Sequence, residues 1–156
     1  MDLRDRVEFP SKIYSTQLLK NKLAVATNCE LTELEILLFN KAMLAVSQQL
    51  VKEGIQEDNL DCLIVFFTEN GDLNLYEDTA SGCGLHFAMA IYIMERIRKY
   101  NSNVFTTFAF IEEMTHHYWH ISDERLVKYK VEEIFQIIDP EFTLDYMRKR
   151  WKLNGL

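Results

Sequence analysis

The hydrophobic pattern of this chain changes period once, abruptly, and that change limits the folds open to it. Thr32-Glu33-Leu34-Glu35 is a capping box, a threonine followed three residues later by a glutamate, and it opens a long amphipathic helix. Leu34, Ile36, Leu37, Ala42, Leu44, Ala45 and Leu50 supply its expected core face, and Gly54 follows its last residue, Glu53. Residues 62–67 then form a short apolar run rich in branched and aromatic side chains, which reads as a strand. Glu69-Asn70-Gly71-Asp72 carries the Asn-Gly turn signal, and residues 73–76 alternate, with Leu73 and Leu75 on one face and Asn74 and Tyr76 on the other. The spacing predicts a β-hairpin set into a largely helical chain.

Around that hairpin the remaining elements read as helices. Ser15 stands before a predicted helix over residues 17–26, with Leu18, Leu19, Leu23 and Ala24 in apolar spacing. Residues 85–99 read as a mostly buried helix that turns charged at its end. The element over residues 104–120 opens on Val104-Phe105-Thr106-Thr107, good strand formers, and closes as a helix. Ser122 or Asp123 then caps a helix running to about residue 138, before Pro140, and a last helix covers roughly residues 143–151. The expected fold is α+β, mostly helical with a small antiparallel β-sheet, in a single domain over residues 1–156. A hydrophobic fraction of 48% with only 2 Pro and 5 Gly supports a packed core rather than disorder.

Charge and cysteine usage narrow the partners. The formal net charge of -7 repels nucleic acid, so none is expected. Arg148-Lys149-Arg150-Trp151-Lys152 is a local basic exception and reads as a solvated helix end favoured by the helix dipole. No apolar run is long enough to span a bilayer, and the opening residues lack a secretory signal, so the expected location is the cytoplasm, with no membrane partner. Cys29, Cys62 and Cys83 are too widely spaced for a disulfide framework or a thiolate zinc site. Cys62 reads as buried in a strand, and Cys83, between two glycines, is a weak nucleophile candidate.

The chemical signal concentrates in Glu112-Glu113-Met114-Thr115-His116-His117-Tyr118-Trp119-His120, which holds three of the chain's four histidines. At about 100° per residue, with Glu112 at zero, His116 falls near ~40°, His120 near ~80°, Glu113 near ~100° and His117 near ~140°. Glu112, His116 and His120 thus form one stripe with Glu113 beside it. Carboxylate and imidazole are the donors that zinc and related divalent ions take when thiolates are absent. Simple surface Glu-His links are the alternative.

Glu112-Glu113-Met114-Thr115-His116 resembles the active helix of the zincin metallopeptidases, whose signature is His-Glu-x-x-His. The resemblance implies that His116 stands for the second metal-binding histidine and Glu113 for the general-base glutamate. Glu112 stands where the first histidine belongs. Downstream, Asp123-Glu124 followed by Val127, Val131 and Ile134 is similar to short gluzincin-type peptidases, in which an acidic residue of the next helix completes the site. That likeness implies Glu124 as third ligand, with Asp123 behind it, a peptide or protein substrate, and residues 73–76 as the sheet edge that aligns it. The long helix, hairpin and active helix together resemble the minimal zincin-like core.

The function expected is a metal-dependent, peptidase-like hydrolase. Its metal ligands would be Glu112, His116, His120 and Glu124, and its catalytic base Glu113. Zinc is the expected ion, with manganese or iron favoured by a more acidic ligand set. His117 is a candidate for steadying an oxyanion. The alternative is a non-catalytic metal-binding or protein-interaction module on the same fold. A di-metal carboxylate bundle, which Glu113-x-x-His116 would suit, lacks the second such motif. A helical interaction protein without a site completes the set.

Overall fold

The computed structural model describes residues 2–3, 6–76 and 88–151. Its elements run β1 (Asp2–Leu3), β2 (Leu23–Thr27), α1 (Glu33–Lys52), a 3-10 turn (Glu57–Asn59), β3 (Leu63–Thr68), β4 (Leu75–Tyr76), β5 (Ala88–Ile93), α2 (Met94–Arg98), α3 (Asn103–Tyr118), α4 (Glu124–Phe135) and α5 (Leu144–Trp151). β3 is the middle of a three-stranded sheet ordered β2-β3-β5. Both pairings are parallel: Leu23 lies opposite Leu63 and Thr27 opposite Phe67, while Leu63 lies opposite Ala88 and Thr68 opposite Ile93.

This corrects the expected fold class. The fold is α/β with a three-stranded parallel sheet, and β3 and β4 do not pair as the expected antiparallel hairpin; the antiparallel pairing among the described residues is the two-residue ladder between β1 and β4. Every residue of β3 except Ile64 is buried, so both faces of the strand are covered, as suits the centre of a parallel sheet rather than one arm of a hairpin. The chain does turn at Asn70-Gly71. Asp72 N–H donates to Asn70 Oδ1 at 3.0 Å, and Gly71 takes a φ of 99°, which disfavours any side chain. But Thr68 Oγ1 and Asn28 Nδ2 both donate to the Asp72 carbonyl, and the strand that follows runs to β1, with Leu3 opposite Leu75, instead of back along β3.

Four further expectations change. Leu23–Thr27 is a strand where a helix over residues 17–26 was expected. Within residues 85–99, Ala88–Ile93 pairs with β3 and only Met94–Arg98 is helical, because six consecutive ladder partners outweigh the helix preference of Ala and Met. Val104 to Thr107 are helical, since Ser102 caps α3 by accepting from Phe105 N–H at 3.2 Å. The capping box at Thr32 is formed in full, and Asp123 is the residue that caps α4. Cys62 is exposed rather than buried. Cys83 and the loop around it lie outside the described residues. No helix among the described residues is long and apolar enough to cross a membrane.

Four aromatic rings join the layers. Phe39 of α1, Phe67 of β3, Tyr92 of β5 and Phe110 of α3 meet with centroids 5.1 to 6.3 Å apart, mostly edge to face. The Tyr92 hydroxyl donates to the Phe110 carbonyl at 2.6 Å. At the opposite end of α1, Lys130 of α4 pairs with Glu53 and Glu133, while Trp119 Nε1 donates to Glu53 at 2.7 Å.

Arg98, in the last turn of α2, fastens three elements: its Nε and Nη2 donate to Glu35 at 2.7 and 3.0 Å and its Nη1 to Glu69 at 2.6 Å. Burial pushes the Glu35 carboxyl up, but the Arg98 guanidinium and the Thr32 N–H outweigh it and hold the group below its ordinary 4.5.

Two outcomes follow. Phe67→Ala removes the ring that touches the other three and lowers unfolding free energy by about 3–5 kcal/mol in urea denaturation. Glu35→Gln keeps the capping geometry and removes the charge, at a cost of about 1.5–3 kcal/mol near pH 7. An acid held below its unfolded value stabilises the fold above that value, so the gap between wild type and Glu35→Gln closes as pH falls below about 4.5.

Candidate functional site

Glu112 and His116 lie one turn apart on α3, as their spacing requires. His120 does not continue the stripe, because α3 ends at Tyr118. Ile121 N–H returns to the His116 carbonyl at 3.2 Å and His120 N–H to the His117 carbonyl at 3.3 Å, with His120 at a φ of 52°. That is a Schellman ending with a histidine in the left-handed position glycine usually fills. The His120 ring is then carried to Asp61, with Nε2 3.8 Å from Oδ2. His117 turns the same way and meets the Asp61 carbonyl at 3.3 Å.

The same chain reversal builds the surroundings of His116. It brings the Ile121 carbonyl to 2.6 Å from His116 Nδ1. A carbonyl only accepts, so Nδ1 carries the proton and, in the neutral ring, Nε2 presents its lone pair. Nε2 lies 3.7 Å from Glu124 Oε1. Glu124 is the first residue of α4, held there by the Asp123 cap, whose Oδ1 accepts from Arg125 and Leu126 N–H at 2.9 Å each. Asp123 is thus committed to the helix end.

Glu112 is half-buried, and its carboxyl accepts no hydrogen bond from the described residues. Burial raises it to about 7, with Glu113 and Glu124 adding to the rise and Lys128 and His116 opposing it. Glu113, open to solvent on one side, is raised by burial on the other and by Glu124, against His116. Lys128 also faces Glu124, at 3.8 Å. Three carboxyls, one imidazole and one ammonium therefore act on one another across the α3–α4 corner. Among the described residues no three His, Cys, Asp or Glu side chains converge closely enough to enclose an ion. His116 and Glu124 meet, and Glu112 lies beside them on the α3 side.

A hollow of about 530 Å³ between the β2 edge and the segment before it is lined by Phe9, Ile13, Leu23, Val25 and Met43 and touches neither α3 nor α4. Lys128, one turn beyond Glu124 on α4, is the participant the sequence reading missed. Its i,i+4 spacing from Glu124 was the available signal.

Family models, curated proteins and solved structures gave no match to this chain. The site therefore stands on its own geometry.

The role of His120 is checked by His120→Gly. Glycine relieves the left-handed backbone, so melting should show a gain of about 0.5–1 kcal/mol, with the contact between His116 and Ile121 kept. A loss of stability would mean that the ring's approach to Asp61 outweighs the backbone strain.

Proposed function

We propose that the chain is a divalent-metal-dependent hydrolase of the peptidase kind, with His116, Glu124 and Glu112 as the metal donors and Glu113 as the base. The observation that carries this reading is the fixed His116 ring. Metal-binding imidazoles commonly donate one ring N–H to a backbone carbonyl, which holds the other nitrogen toward the ion. His116 does this through Ile121, and its free Nε2 faces a carboxylate on the next helix. The donor set suits zinc, or manganese and iron given its acidity. Because only two donors meet as the chain stands, the Glu112 side chain would swing in to complete the set, losing its proton as it does so. His120 is left out, since its ring is turned to Asp61.

A divalent ion at this corner would supply Lewis acidity toward a carbonyl oxygen. The chain's own part is to hold the donors and to offer Glu113 as a proton acceptor for water. The exposed Glu113 carboxyl reaches solvent, and its raised affinity for protons improves it as a base near neutral pH.

A second reading, a metal-holding module without catalysis, is favoured by the carboxylate of Glu112 at the position where the zincin signature has histidine. Calorimetric titration of EDTA-treated protein with Zn²⁺ and Mn²⁺, beside hydrolysis of labelled casein, separates the readings. The hydrolase reading expects one ion per chain and metal-dependent cleavage. His116→Ala should weaken binding by about 100-fold or more, and Glu113→Gln should keep the ion while losing turnover. Binding without cleavage selects the non-catalytic module. No binding of either ion refutes both.

A further inference from the structure

α1 is covered on all sides but one. Between Glu33 and Lys52 its exposed residues are Glu33, Leu34, Leu37, Lys41, Leu44, Gln48, Val51 and Lys52. Leaving the two ends aside, the stripe follows the 3-4-3-4-3 spacing of a coiled-coil seam, and four of its six members are apolar. Leu34 is 47% exposed, Leu37 and Leu44 49% each, and Val51 63%. Isolated apolar side chains on a surface need no explanation, but a collinear row along about 26 Å of helix does. The expectation that Leu34, Leu37 and Leu44 face the core fails here, because Ile36, Leu38, Phe39, Ala42, Met43 and Val46 already fill it.

We propose that this stripe is the interface of a symmetric dimer, in which α1 packs antiparallel against α1 of a second copy of the chain. A twofold axis between residues 42 and 43 sets Leu34 at the level of the partner's Val51, Leu37 at that of the partner's Gln48 and Lys41 at that of the partner's Leu44. Each a-type position thereby meets a d-type position, as antiparallel seams require, and the contact is self-complementary. Charge selects this direction. A parallel pair would place Lys41 against its own copy inside the seam. The antiparallel pair brings the acidic start of each helix, with Glu33, beside the basic end of the other, with Lys52, and opposes the two helix dipoles. Tyr14, 65% exposed and held over α1 by its N–H bond to Asn40, flanks the seam beside Lys41 and Leu44.

Sedimentation over a dilution series from roughly 200 µM downward reads the mass of the chain. The expected result is a reversible monomer–dimer equilibrium. Leu44→Lys, which sets a second lysine against the partner's Lys41 twice across the twofold axis, should raise the dissociation constant about 30-fold or more, with an unchanged melting curve at dilutions where both proteins are monomeric. Leu44→Gln gives the same direction without added charge, and Leu126→Glu on α4 leaves the dimer intact. Orientation is read by oxidation with Cys62→Ser and Cys83→Ser in place. Leu34→Cys combined with Val51→Cys should give a cross-linked dimer, and Leu34→Cys alone should not. A chain that stays monomeric throughout, including one that uses the stripe for a different protein, overturns the proposal. So does a dimer that survives Leu44→Lys, or a cross-link from Leu34→Cys alone.

Discussion

The aromatic contact among Phe39, Phe67, Tyr92 and Phe110 is what the rest of the structure depends on. Each ring comes from a different element, so no two layers can shift without breaking an edge-to-face contact. The Tyr92 hydroxyl adds a direction to that contact, because a buried phenol needs an acceptor and the Phe110 carbonyl supplies it. The phenol is raised well above its usual range, by burial first and then by Glu113 and Glu112, so it stays a neutral donor. The register of α3 against the sheet is fixed there, two residues before Glu112.

From that anchor the α3–α4 corner is assembled by backbone, not by side-chain choice. The helix ending at Trp119 and His120 sends the chain back on itself, and a single reversal does two things. It delivers the Ile121 carbonyl to His116, and it starts α4 so that Glu124 faces the same ring. His120 lies beyond the helix end and faces Asp61, which His117, still within α3, also reaches. A group of histidines adjacent in sequence is thereby divided between two places.

What could be read from the residues follows from how local each determinant is. The capping box at Thr32, a cap at Ser122 or Asp123 and a strand over about residues 62–67 are decided within a few residues, and all were legible, with Asp123 as the cap and the strand at Leu63–Thr68. The partners of that strand were not. An apolar run buried on both faces looks much the same whether its neighbours are parallel or antiparallel, and the Asn-Gly turn after it suggested a hairpin that the Asp72 contacts divert. Ala88–Ile93 contains Ala and Met and became a strand only through pairing with β3. At the site, Glu112 and His116 were legible as a pair because a helix connects them. The exit of His120 was hidden because histidine carries no mark of a left-handed residue. Composition could not say which side of α1 would be covered, since apolar residues surround the helix.

Parallel pairing also sets the order in which this chain can mature. β2 cannot meet β3 until α1 has been made and crossed over, and β5 must wait for the segment beyond β3. None of the sheet contacts, such as Leu23 to Leu63 or Leu63 to Ala88, is local. Closing such loops before any reward is gained slows folding, whereas α1 needs only its own capping box to begin. In the interval a helix apolar on nearly all sides stands without its sheet. The nascent chain is therefore at its most adhesive just before β3 arrives, and crowding by its own copies at that moment favours aggregation over completion.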